Sequence, residues 1–234
     1  MATTTTSYSV LSLEEAGATA ADSAFALDTA IDPDTGRRGR VFVRRDLDIG
    51  SFGVNAYYQA ISGAFVIGEH DELGPGASAH EELYLVVSGG ATFTVDGDEV
   101  EAPRGTAVFV SDPASKRAAR ATEDGTIVVV VGGRRGEAFR PGPGEGVSEF
   151  YRLYRTKDYE GALAVLQEVL EEHPGNALIL YNIACIKSIL GSPEEALEAL
   201  AESVAAWPRY KENAADDDDL AAVREDPRFQ ALLA

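Results

Sequence analysis

The rhythm of hydrophobic and polar positions changes near residue 140 of this 234-residue chain. Before that point apolar residues come in short alternating runs separated by turn signals. "GRVFVRR" (39–45), "GVNAYYQAI" (53–61), "ELYLVVSG" (82–89), "ATFTVDG" (91–97), "TAVFVSD" (106–112) and "TIVVVVGG" (126–133) all predict β-strands. Asp96-Gly97 marks a tight hairpin, and Arg104-Gly105 and Asp124-Gly125 punctuate the later strands. Many short strands at regular spacing predict an antiparallel sandwich or barrel. The first forty residues carry a weaker pattern: a short helix over Leu13–Ala16 and a turn at "DPDTG", Asp32–Gly36. Beyond "RPGPGEG" (140–146), which reads as a linker, the period is helical. "EFYRLYRTKDYEGALAVLQEVLEEHPGN" predicts two helices broken around Thr156–Asp158. "ALILYNIACIKSILGSPEEALEALAESVAAWP" predicts two more, with Ser192 as N-cap and Pro193 at the first helical position.

The helical half repeats itself. Tyr159 aligns with Pro193, Ala162 with Ala196, Leu166 with Leu200, Leu170 with Val204 and Pro174 with Pro208, each pair 34 residues apart. With small residues where helices cross and a proline closing each unit, this half resembles the tetratricopeptide repeat family. That resemblance implies a surface for a protein or peptide partner, or for self-association. "DDDDLAAVREDPRFQALLA" resembles the end cap of such an array. Two repeats are few for such an array, so they are expected to pack on the β domain or on a second subunit. The expected fold class is α+β: an N-terminal extension over 1–39, a β-barrel over 40–139, a linker over 140–146 and a helical domain over 147–234.

Composition narrows the partners. A formal net charge of −19 repels nucleic acid and anionic membranes alike, so neither is expected as a partner. A single cysteine, Cys185, rules out an internal disulfide framework and fits a reducing compartment. The start of the chain has no basic-then-apolar signal pattern, and no stretch reaches eighteen apolar residues; a cytoplasmic protein is expected.

Candidate chemistry concentrates in "GEHDELGPGASAHEELYLVVSGG", residues 68–90, which holds two of the three histidines. Side chains alternate faces along a strand, which places His80, Glu82 and Tyr84 together and Glu81, Leu83 and Leu85 opposite. Here the chain resembles the cupin family. Glu82 stands seven residues before Gly89, matching the family's first motif, and "RGTAVFVSDPASKR" (104–117) has the shape of its second. The resemblance implies a small jelly-roll barrel holding a small-molecule ligand, pairing into homodimers. It also implies metal ligands, but the usual histidine positions hold Ala77, Ser78 and Lys116. Two alternatives therefore stand. His70, His80 and Glu82 form a site for one divalent transition metal (Fe, Mn, Ni or Zn) in an oxygenase, isomerase or lyase. Otherwise the barrel needs no cofactor: His80 bonds Glu82 or Tyr84 in the pocket, His70 lies in a solvated acidic loop, and His80 or Glu82 is available as a general base. Lys116, Arg117 and Arg120 pair with surface carboxylates, or one of them reaches the pocket to meet an anion or Glu82. The expected pocket set is His80, Glu82, Tyr84, Lys116 and Arg120. Cys185, on an inner helix face with Ile183, Ile186 and Ile189, is expected to be a buried apolar residue. His173 complements a helix dipole, and Trp207 is a packing anchor.

Overall fold

A computed structural model describes residues 9–22 and 38–233, in two compact units. The first comprises residues up to Leu73 together with Ser78–Arg140; the second comprises Gly74–Ala77 and Pro141 onward. The turn expected at Asp32–Gly36 lies outside the described residues.

The first unit opens with helix α1 (Leu13–Asp22), longer than the Leu13–Ala16 turn predicted. Strand β1 (Arg38–Val41) is followed by a helical turn α2 (Val43–Asp46), then β2 (Gly53–Gln59), β3 (Phe65–His70), β4 (Glu81–Ser88), β5 (Gly90–Val95), β6 (Asp98–Pro103), β7 (Ala107–Val110), β8 (Arg117–Ala121) and β9 (Thr126–Gly133). "GRVFVRR" is therefore only half a strand. Pairing with β2 ends at Val41↔Ala56, and the chain then coils so that Val43 joins Val41 in the same apolar cluster.

The strands form two antiparallel sheets, in the orders β1-β2-β9-β4-β7 and β3-β8-β5-β6. From β2 to β9 the chain alternates between them, except at the β5–β6 hairpin, where Asp96 and Gly97 both have positive φ (52° and 94°) as a type I′ turn requires. Eight strands in the orders 2-9-4-7 and 3-8-5-6 make a jelly roll. Its core, between the sheets, includes Val66, Tyr84, Val86, Phe93, Val128 and Val130. A second cluster covers the outside of the first sheet, where Leu13 and Ala16 of α1 pack near Val41, Val54, Ala56 and Ile127. Burial on both faces explains why β9 reads as an unbroken apolar run rather than an alternation. The helix can come this close because Gly39 has no side chain; a Cβ there would lie 2.4 Å from the Gly17 carbonyl oxygen.

The second unit contains helices α3 (Pro143–Gly146), α4 (Ser148–Arg155), α5 (Tyr159–Glu172), α6 (Ala177–Ile189), α7 (Pro193–Ala206), α8 (Tyr210–Asp216) and α9 (Pro227–Leu233), with a 3₁₀ turn at Asp218–Leu220. The end of "RPGPGEG" is thus helical, with Pro143 at the first position, where its fixed φ suits a helix start. Equivalent positions of the two repeats are buried alike: Ala162 with Ala196 and Leu166 with Leu200 are all fully enclosed. Asn176 caps α6, its Oδ1 accepting from the amides of Leu178 (3.0 Å) and Ile179 (3.2 Å). Pro193 opens α7 as expected, but the Ser192 hydroxyl makes no capping bond.

Candidate functional site

One end of the jelly roll gathers a cluster of ionisable groups in its interior. Three strand termini place them: His70 ends β3, Arg117 opens β8 directly opposite it, and Glu82 is the second residue of β4. A register shift between Ile67 and His70 belongs to a bulge that re-aims the end of β3. Glu72 follows in the loop, fixed by its backbone. Its amide donates to the Pro113 carbonyl (2.8 Å), its carbonyl accepts from Ala79 (2.9 Å), and its Oε2 accepts from the Ser78 amide (3.2 Å).

Glu82 is the hub. Its Oε2 accepts a short hydrogen bond from the Tyr84 hydroxyl, lies 3.4 Å from Arg117 Nη2 and lies 3.7 Å from His70 Nε2. His70 Nε2 is also 4.0 Å from Glu72 Oε1. Its other ring nitrogen, Nδ1, sits 2.8 Å from the Gly68 carbonyl, which can only accept, so Nδ1 carries a proton. Arg117 has no exposed side-chain surface. Its Nη1 donates to the carbonyls of Ser115 (2.8 Å) and Pro113 (3.2 Å). Solvent reaches the cluster through His70, whose side chain is 35% exposed.

These contacts set the protonation states. Burial alone would raise the Glu82 carboxyl, but hydrogen bonds from His70 and Tyr84 and the charges of His70 and Arg117 hold it below the ordinary glutamate value. Burial also works against the His70 proton, yet the bonds to Glu82 and the Gly68 carbonyl, with the Glu82 charge, raise its pKa on balance. Burial and then the neighbouring Glu82 charge push Glu72 up, and the same two causes push Tyr84 up. With His70 protonated, two carboxylates face two cations and the cluster balances its own charge.

The sequence-derived site set divides accordingly. The structure brings His70 beside Glu82, with Tyr84 on the same oxygen. Glu72, rather than His80, completes the group whose donor atoms lie within 4.8 Å of one another. Pairing in β4 begins at Glu81, and Ala79 just before His80 adopts φ 53°, so the alternation that was to place His80 beside Glu82 starts one residue too late. The His80 ring packs near Phe139 instead, with centroids 5.7 Å apart. Lys116 and Arg120 do not enter the interior. Along β8, Arg117 and Ala119 face inward, which turns Lys116 and Arg120 outward. Lys116 pairs with Glu69 at 3.6 Å, both well exposed, and Arg120 lies over the Phe65 ring while donating to the Gly63 carbonyl. The member of that basic cluster that meets Glu82 is Arg117. A fully buried arginine has no hydropathy signature; its only mark is that it alternates with the small residues Ala119 and Ala121.

The motif resemblance noted in the sequence implies a metal, and the donor chemistry here tests that implication. His70 Nε2 and the two carboxylates have suitable identities, and the Nδ1–carbonyl bond is the usual support for a ligating imidazole. Arg117 counts against it. A metal about 2.1 Å from Glu82 Oε2 would lie within roughly 5.5 Å of the guanidinium, a repulsion on the order of 6 kcal/mol at an effective dielectric of about 20. The Tyr84 hydroxyl already occupies the same oxygen. Arg117 supplies the positive charge that this carboxylate requires, and the residues fit a metal-free ion cluster better than a metal centre.

A second group, Cys185 with Asp217 and Asp219, lies in the helical unit. Its members are committed to one another and to tyrosines. Tyr181 donates to Asp217 (2.8 Å), Tyr154 donates to Asp219 (2.7 Å), and Cys185 Sγ is 3.7 Å from Asp217. Burial and the Asp217 charge push the thiol well above its ordinary pKa, which holds it protonated rather than as a nucleophilic thiolate at neutral pH.

Residues 153–216 match the tetratricopeptide repeat family. Solved structures similar to the chain include KdgF from Halomonas sp., with 17% identity over 46% of this chain and 86% of that one (TM-score 0.34). A cupin protein from Bacteroides fragilis has 22% identity over 49% and 91% (TM-score 0.34). An RmlC-like cupin from Desulfovibrio desulfuricans has 18% identity over 45% and 89% (TM-score 0.33). No curated protein matches by sequence. The assignment of the fold rests on the strand order given above.

Proposed function

We propose that this is a cytoplasmic two-module protein whose jelly roll binds a small molecule without a metal and whose tetratricopeptide repeats dock a protein partner. The observation that carries the first half is the buried Arg117–Glu82 pair. An ion pair enclosed beside a half-exposed imidazole and a second carboxylate makes a polar, charge-balanced site rather than a packed apolar end. Burying such groups costs stability unless they are paired, which argues for a retained role. His70 is the group that solvent and a ligand reach first. The repeats at 153–216 support the second half, and the lone buried thiol suits a reducing compartment. Among the described residues no helix is long and apolar enough to cross a membrane.

Self-association fits the same architecture. Leu83, Leu85 and Val87 on β4 and Phe109 on β7 leave an exposed apolar strip on the outer face of the first sheet, whose last strand is β7. A second copy covering that strip would remove it from water and pair the open strand edge. The alternative is a metal enzyme of the oxygenase, isomerase or lyase class using His70, Glu72 and Glu82; the convergence of those three donors within 4.8 Å is its one support. Calorimetric titration of the apo protein with Zn²⁺, Mn²⁺, Ni²⁺ and Fe²⁺ separates the two. The proposed reading expects no stoichiometric site that Glu82→Gln abolishes, and such a site would replace it.

A further inference from the structure

The first sheet carries a second polar group on its inner face, with Asn55 one inward row and Arg40 two inward rows past Glu82. Directly opposite residues in a ladder share a face. Arg40 of β1 lies opposite Tyr57 of β2, and Asn55 lies opposite Val130, which lies opposite Tyr84. Tyr57, Val130 and Tyr84 all belong to or pack on the core between the sheets, so Arg40 and Asn55 face inward too. The alternate residues Val41 and Ala56 face the outer cluster.

Arg38, two residues earlier, shares this face and reaches Gly68 of β3; Arg40 differs from the inward Arg117 of β8. Arg117 has Glu82; Arg40 has no carboxylate within ion-pair distance among the described residues. Its guanidinium lies near the rings of Phe42 (4.7 Å) and Tyr57 (5.6 Å). It reaches Asn55, whose carbonyl oxygen accepts from Nη2 at 3.1 Å when the amide is oriented to satisfy both its ends. The buried Nε has no hydrogen-bond partner. In a chain with 39 acidic and 20 basic residues, an inward arginine with no counter-ion among the described residues is unexpected. The aromatic shelf holds the guanidinium flat but spends none of its hydrogen-bond donors.

We propose that Arg40, with Asn55 and Tyr57 beside it, binds the oxyanion of the barrel's ligand, a carboxylate or phosphate. The ligand is then a small anion with its charged end at Arg40, beside Asn55 and Tyr57. The inference rests on the reading of the jelly roll as a small-molecule binder, and names the class of molecule. Citrate and inorganic pyrophosphate stand for the two oxyanion chemistries, and glucose for a neutral polar ligand.

The test is thermal denaturation of the full chain against each probe at constant ionic strength, in wild type, Arg40→Gln and Arg40→Lys. Citrate or pyrophosphate is expected to raise the melting temperature saturably, and which of them does so identifies the oxyanion. Arg40→Gln should weaken that binding about 10- to 100-fold, the worth of a charge-assisted hydrogen-bonding partner. Arg40→Lys should retain part of it, and circular dichroism of the free variants checks that the fold is kept. Glucose binding with no response to either anion would overturn the anion assignment and leave the small-molecule reading standing. Anion binding unchanged in Arg40→Gln would overturn the assignment to this residue. Saturable stabilisation by none of the probes would overturn the anion assignment and remove the support for the binder reading as well.

Discussion

Replacing Glu82 by glutamine keeps the shape of the side chain and an acceptor for the Tyr84 hydroxyl but removes the charge facing Arg117 and His70. Arg117 has no exposed side-chain surface, so its charge cannot find water instead. Breaking one side of a buried pair costs about 3–5 kcal/mol, and Arg117 is the more deeply buried partner. For a unit of this size that corresponds to a fall of roughly 10–20 °C in melting temperature. Removing both charges, as Glu82→Gln with Arg117→Met, should recover most of the loss, because the penalty belongs to the orphaned guanidinium rather than to a missing attraction. Far-UV circular dichroism follows unfolding of the sheets. The single tryptophan, Trp207, sits at the end of α7 and reports the helical unit separately. The expected pattern is a lowered sheet transition and a double variant more stable than Glu82→Gln. Additive losses in the double variant, or a Glu82→Gln protein within about 1 kcal/mol of wild type, would refute the buried-pair account.

Other predictions concern neighbouring features. The raised His70 pKa means its bond to Glu82 stabilises the fold fully below about pH 6.5, the unfolded value, and that this contribution is lost as pH rises through the folded value. The lowered Glu82 pKa gives a contribution present above its unfolded value and lost as pH falls through the folded one. Proton–carbon NMR of the three histidines should therefore show His70 titrating above the ordinary value, and falling in Glu82→Gln; an unchanged His70 would sever the link. Cys185 should resist an aromatic disulfide reagent in the native chain and react fully after denaturation, whereas fast native labelling would contradict its burial against Asp217. Gly89→Ala should destabilise the jelly roll, since φ at Gly89 is 63° and a Cβ there would lie 2.4 Å from Thr126 Oγ1; a wild-type melting curve would show that the turn can relax. Light scattering should give a dimer for the wild type and a monomer for Phe109→Lys, while a wild-type monomer would leave the β4–β7 strip without the proposed occupant.

The architecture was legible wherever burial follows hydropathy. Alternation marked β2, β4, β5 and β7, the Asp96-Gly97 pair marked the hairpin, and the 34-residue period marked the helical repeats. Less was legible where burial is electrostatic or set by distant chain. Strand β8, "RAARA", has no apolar alternation because its key inward residue is an arginine matched to Glu82. Glu72 enters the site through loop hydrogen bonds to Pro113 and Ala79, contacts that no local period encodes. His80 went the other way: a rule valid inside β4 was extended one residue past its start, across the positive φ of Ala79. Arg40 passed unnoticed because its inward direction follows from the β1–β2 register and the identity of the buried face, neither of which "GRVFVRR" reveals alone.

On the proposed reading Arg117, not a metal, is the counter-charge of Glu82. Elemental analysis of the chain, produced without a histidine tag in metal-supplemented medium and desalted, tests it most directly. No stoichiometric transition metal is expected, and no change in melting temperature on adding a chelator. One equivalent of iron, manganese, nickel or zinc, lost in Glu82→Gln and bound more tightly in Arg117→Met, would contradict it.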